Sequence, residues 1–139
     1  MITKKPEQAK VGDHLPEVTF GPVTRTHLAL YAGASGDHNS IHIDIDFAKR
    51  AGLKDVFAHG MFSMAQVGRV VTNWAKASQI VTIGVRFQAL THIGDVLICS
   101  GEVVEKFTEG SDEFLKVNLV AKTKPDVATV VGQAVIRIV

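Results

Sequence analysis

The sequence predicts an α+β protein in which one long, largely buried helix lies on an antiparallel sheet. Three features carry that expectation. The run "AHGMFSMAQVGRVVTNWAKA" has three-to-four apolar spacing, the segments after Ser78 alternate apolar with polar residues, and the helical patterns precede those strands.

Taken in chain order, "VGDHLPEVTF" at 11–20 reads as a strand that Pro16 confines to an edge or a bend. "TRTHLALYAGASG" offers a Thr cap and Leu28 and Tyr31 three apart, which predicts a short helix ending near Gly33. "DIDFAKRAGL" predicts another, with Asp46 near its start and Gly52 as its stop. In the long helix, Met61, Met64, Ala65, Gly68, Val71 and Trp74 follow the helical period, while Val67 and Val70 widen the apolar surface.

Beyond it, Val81, Ile83, Val85 and Phe87 alternate with Thr82, Gly84, Arg86 and Gln88, the pattern of a strand with two unlike faces. "DVLICSGEVVEKF", "EFLKVNLVAKT" and "VATVVGQAVIRIV" continue as strands, with the reversals "TEGSD" and "KPD" between them. Four consecutive strands with short connections predict an antiparallel meander. Such a sheet has open edges, and an apolar content of 46% fits one covered by a second subunit, so a homodimer is expected, with a heterodimer or higher oligomer as alternatives.

At 139 residues the chain suits a single domain over 1–139. Fifteen Lys and Arg against 14 Asp and Glu leave a formal charge of +1, with no basic run to follow phosphates, so nucleic acid is not an expected partner. The start "MITKKPEQAK" lacks the apolar run of a signal or anchor, and no stretch is long enough to span a bilayer; a cytoplasmic location without membrane attachment is expected. The lone cysteine, Cys99, lies in an apolar run and reads as a small core residue.

Chemistry concentrates in "YAGASGDHNSIH", Tyr31–His42. Asp37, Asn39 and Ser40 are ordinary turn and capping residues, and a turn could be all they make. With His42 added, the segment can also bring a carboxylate and an imidazole to one water as a general acid and base. Metal is not expected: His38 and His42 are spaced i, i+4, which converges only on a helix, and Gly36, Asn39 and Ser40 disfavour helix there.

The second constellation, "FAHGMFSM", opens the long helix. Free N–H groups at a helix N-terminus suit a developing oxyanion, and Gly60, lacking a side chain, would let a carbonyl oxygen approach. Equally, Gly60 could serve a tight turn while His59 caps or packs. Together the two segments supply what water addition beside an activated double bond requires. One site deprotonates water; the other stabilises the enolate oxygen of a thioester, a donor worth roughly 3 kcal/mol in the barrier.

These stretches resemble the MaoC-like, (R)-specific enoyl-thioester hydratases and dehydratases. "YAGASGDHNSIH" is similar to their aromatic residue followed by a Gly-Asp-x-Asn-Pro-x-His run, "AHGM" to their His-Gly turn, and "VRFQALTHIGD" to a stretch ending in Gly-Asp before a strand. The resemblance covers about 10–139 and implies a hot-dog fold, a long helix wrapped by an antiparallel sheet. It implies reversible hydration of trans-2-enoyl thioesters, on coenzyme A or acyl carrier protein, to (R)-3-hydroxyacyl thioesters, with no redox cofactor. It further implies Asp37 and His42 as the pair binding the reacting water, Asn39 as the residue ordering the site, and the Gly60 N–H as oxyanion donor. His38 falls at the variable position, and His59 is taken as structural. Ser40 departs from the family's usual proline, which bears on loop stiffness more than on reaction type. A thioesterase of the same fold, and a subunit that binds acyl chains or supports a catalytic partner, are the alternatives. Lys49, Arg50, Lys54 and Arg69 are candidates for meeting the carrier's anionic end; Met61, Phe62 and Met64 could line an acyl tunnel but are read as core.

Overall fold

The computed structural model describes residues 4–138. It contains strand β1 (Val18–Phe20), helices α1 (Arg25–Ser35), α2 (Ile45–Arg50) and α3 (Gly60–Thr72), then strands β2 (Ile80–Phe87), β3 (Leu97–Glu109), β4 (Asp112–Lys124) and β5 (Val127–Arg137). The strands form one sheet in the order β1-β3-β4-β5-β2, every neighbouring pair antiparallel. Helix α3 packs on its inner face, so the α+β hot-dog architecture expected from the sequence is present.

The core lies between α3 and the sheet. Val67, Val70 and Val71 are fully buried against Leu97, Cys99, Val103, Leu115, Val117 and Ala134. Burying each valine contributes about 1.5–3 kcal/mol. Gly101 lets β3 approach the helix closely: a Cβ there would meet Val70 Cγ1 at 3.2 Å and side-chain atoms of Leu119 and Val117 at 3.2 and 3.3 Å. A shift in register between Val103 and Glu105 bends the long β3–β4 pair around this core. Cys99 is buried, as expected, and burial raises its thiol pKa to about 11.

Several local expectations are corrected. Helix α1 runs past Gly33 and stops at Gly36, which takes the left-handed conformation (φ 77°) and donates its N–H to the Ala32 carbonyl. Its start is a capping box in which Thr24 Oγ1 accepts from the His27 N–H and His27 Nδ1 accepts from the Thr24 N–H. The strand expected over 11–20 is reduced by Pro16 to β1 and one bridge at His14. On α3 the buried stripe is Phe62, Ser63, Gln66, Val67, Val70 and Val71, whereas Met61 is 54% exposed. Of the expected stripe Val71 is buried, while Met64, Gly68 and Trp74 are half-buried and Met61 and Ala65 exposed; Met61 is therefore not core, and Phe62 is. Val67 and Val70, expected only to widen the apolar surface, are buried beside Val71 in the core. The strand expected at 127–139 is seen to Arg137; position 139 lies outside the described residues.

The meander holds for β3, β4 and β5 only. Strand β2 pairs with β5 at the opposite edge, because the connection from β2 to β3 is not a hairpin. It runs past the N-terminus of α3, where the Thr91 carbonyl accepts the Ala58 N–H at 2.8 Å and His92 bridges Phe57. That crossing fixes the segment leading into the helix.

Candidate active site

Three features of the sequence shape the loop after α1. Gly36 ends the helix, Ser35 Oγ accepts the Asp37 N–H at 3.1 Å, and Asp37 Oδ1 accepts the Asn39 N–H at 3.3 Å. Asn39 then caps a 3₁₀ turn over Ser40–His42, its Oδ1 accepting the Ile41 N–H at 3.1 Å. The turn sends His42 inward, where it is 9% exposed, while Asp37 stays exposed at the rim. The turn and capping roles expected of Asp37 and Asn39 are thus both present.

His42 Nδ1 lies 2.7 Å from the Phe57 carbonyl oxygen. A carbonyl only accepts, so Nδ1 carries the proton and Nε2 is left with its lone pair free. The Phe57 ring meets the imidazole edge-on, at 4.9 Å between centroids.

His59, the residue before α3, completes the cluster. Its ring stacks on that of His42 at 4.0 Å, and its Nε2–H donates to the Asp37 main-chain carbonyl at 3.1 Å. Tyr31 packs edge-on against it at 4.7 Å. Burial holds the His59 imidazole below the usual histidine range; the Asp37 carbonyl opposes this and the neighbouring His42 reinforces it. Burial, aided by the Asp37 charge, raises the Tyr31 phenol.

One polar side-chain atom from each of Asp37, His42 and His59 lies within 4.8 Å of the others. This is a donor set of the kind that binds metals, so its aim matters. The two imidazole rings stack with their planes 26° apart. His38, the histidine of the i, i+4 pair, is exposed and outside this cluster.

Gly60 is the first residue of α3, so its N–H has no partner within the helix. A Cβ at this position would lie 3.1 Å from the ring of Phe87, at the end of β2. Phe87 thus covers Gly60 while remaining 52% exposed. Nothing in the sequence pattern distinguished Phe87 from its neighbours, and the Phe57 carbonyl, being main chain, could not be read from residue type. Of the candidate cations, Lys49 and Arg50 end α2, Arg69 donates to Gln66 Oε1 at 3.0 Å, and Lys54 lines a cavity of about 460 Å³ with Leu53, Phe57, His92 and Ile93. Lys54 thus shares a cavity wall with Phe57, whose carbonyl bonds His42.

Comparison with known proteins shows the family. The family model described as "MaoC like domain" matches residues 7–125. The chain belongs to the MaoC-like family. Within it, the 3-oxo-4,17-pregnadiene-20-carboxyl-CoA hydratase beta subunit of Mycobacterium tuberculosis is 32% identical over 114 residues, 81% of this chain and 84% of that protein. The unliganded R-hydratase PhaJ1 of Pseudomonas aeruginosa superposes with a TM-score of 0.80 at 26% identity, covering 93% of this chain and 81% of that one. The fatty acid synthase subunit beta of Gibberella zeae is 39% identical over 64 residues, which is 46% of this MaoC-like chain but only 3% of that protein. The chain therefore spans a small part of such multidomain relatives.

Proposed function

We propose that this MaoC-like protein reversibly hydrates trans-2-enoyl thioesters to (R)-3-hydroxyacyl thioesters. The observation that carries the reading is the clustering of the Asp37 carboxylate with the imidazole of His42, whose Nδ1 is taken by the Phe57 carbonyl, beside a helix N-terminus that begins at Gly60. In the hydration direction the Asp37 carboxylate and His42 Nε2 hold a water. As one of its protons moves to this pair, the water oxygen bonds to the β carbon of the enoyl group. The electron pair of the double bond shifts to join the α carbon to the carbonyl carbon, and the carbonyl pair moves onto the thioester oxygen, where the Gly60 N–H stabilises the enolate. The enolate collapses as the pair returns a proton to the α carbon, so one water is added and no electrons are exchanged. Asn39 serves by capping the turn that aims His42.

The similarity to a protein named as a CoA hydratase subunit and to an R-hydratase supports this reading over the thioesterase alternative. The carrier is coenzyme A or acyl carrier protein, with Lys54 the cation best placed beside the site. A homodimer is supported by the exposed apolar side chains of Val81 and Phe87 on edge strand β2 and of nearby Met61; the relative named as a beta subunit supports a partnered form. The mass in solution at micromolar concentration distinguishes these from a monomer. The reading places the enzyme in the cytoplasm, where Cys99 would stay reduced.

The test is to mix the purified chain with crotonyl-CoA and follow the conjugated enoyl absorbance, free thiol, and product chirality. Loss of absorbance without thiol release, giving the (R)-3-hydroxy product, is expected. Thiol release would identify a thioesterase, and no reaction by folded protein with CoA and carrier-protein substrates would favour the supporting subunit.

A further inference from the structure

We infer that His59 is a positioning residue for this reaction, holding the water-binding loop in register with the helix terminus that carries the oxyanion donor. The inference rests on the hydration reading above. His59 touches both halves: Nε2–H donates to the Asp37 carbonyl at 3.1 Å, the ring face lies on His42 at 4.0 Å, and the next residue is Gly60.

A purely structural role fits the chemistry of the site poorly. His59 is 1% exposed, and its Nδ1 is buried without a hydrogen-bond partner among the protein atoms. A buried acceptor left unpaired costs stability, and an apolar ring of similar size would fill the space without that cost. What the imidazole adds is the directional Nε2–H. Since a carbonyl accepts that bond, His59 is the Nε2-protonated tautomer, and its burial keeps it neutral beside His42. A neutral neighbour leaves His42 free to gain and lose the reacting proton without a second positive charge stacked on it. The Asp37 carbonyl would otherwise sit on an exposed loop held at Asp37 only by contacts with its sequence neighbours Ser35 and Asn39.

Three variants separate donation from packing. His59→Phe keeps an aromatic ring against His42 and removes the donor; His59→Gln places an amide N–H near the position of Nε2; His59→Asn has an amide too short to reach it. With crotonyl-CoA, His59→Phe and His59→Asn are expected to lose about a hundredfold in kcat, with KM changed by less than about threefold, as misplacement of reacting groups does. His59→Gln is expected to recover to within about tenfold of wild type. A folded His59→Phe with near-normal kcat, or a His59→Gln as impaired as His59→Asn, would overturn the inference; if His59→Phe does not fold, the Gln and Asn pair makes the same distinction. Imidazole ¹⁵N spectra provide a readout apart from activity. Wild type should show His59 protonated at Nε2 alone, and the His42 signals should move in His59→Asn but return toward wild type in His59→Gln. If wild type proves unable to hydrate while these shifts hold, the reaction assignment fails and the coupling of His59 to the loop stands; unmoved His42 signals refute the coupling itself.

Discussion

The Nδ1–H of His42 donates to the main-chain carbonyl of Phe57 at 2.7 Å, which leaves Nε2 as the nitrogen able to exchange a proton. His42→Asn can offer an amide N–H close to the position of Nδ1 but nothing at Nε2. We expect it to fold with a melting temperature near wild type and to lose at least about a hundredfold in turnover. His42→Ala, which also strands the Phe57 carbonyl, should in addition lose about 1–3 kcal/mol of stability. Thermal unfolding beside a crotonyl-CoA assay measures both.

Gly60 is covered by a side chain that can move. Gly60→Ala requires the half-exposed Phe87 ring, 3.1 Å from the new methyl, to yield by a few tenths of an ångström, and adds that methyl beside the N–H. Folding should survive, while kcat falls by about 10²–10³, the loss typical of an oxyanion donor. A variant with unchanged kcat would remove Gly60 from the mechanism.

Ser40 opens the 3₁₀ turn, a position that tolerates proline, and Asn39 before it has φ −56° and ψ 126°, the conformation proline favours in its predecessor. Ser40→Pro should keep or raise activity and add about 0.4–1 kcal/mol of stability by restricting the unfolded chain. Collapse of activity in a folded Ser40→Pro protein would give the serine hydroxyl a role of its own.

Arg25, at the start of α1, pairs with Asp55, two residues before Phe57, with Nη1 donating to Oδ1 at 2.9 Å. The Arg25 hydrogen bond holds the Asp55 carboxyl below the usual aspartate range, against the opposing effect of burial. Because the folded pKa is the lower one, the pair's contribution is present above the unfolded pKa and is lost as pH falls through the folded value. Asp55→Asn should therefore melt earlier than wild type near neutral pH, with the gap closing in acid below the ordinary aspartate range. A gap that does not change with pH would exclude the ionic contribution.

The sequence disclosed the site better than it disclosed the sheet. Asp37, Asn39 and His42 were legible because a short Gly- and Asx-rich loop determines its own geometry through contacts within six residues. The buried face of α3 was not, since Met61 and Val67 are both apolar and only tertiary contact shows which meets the sheet. Likewise, β2 alternates like its successors, and nothing local reveals that the chain must pass Ala58 and Phe57 before β3 begins. The contacts of His59, a main-chain carbonyl 22 residues earlier and a stacked ring, leave no trace in residue spacing.

The most direct measurement is the turnover of crotonyl-CoA by Asp37→Asn against wild type, with folding checked for each. Asp37 is exposed, and asparagine can still accept the Asn39 N–H, so the loop should keep its shape. The account predicts rapid hydration to the (R) product by wild type and a loss of at least about a hundredfold in the variant. An Asp37→Asn protein that hydrates within a few-fold of wild type would contradict it.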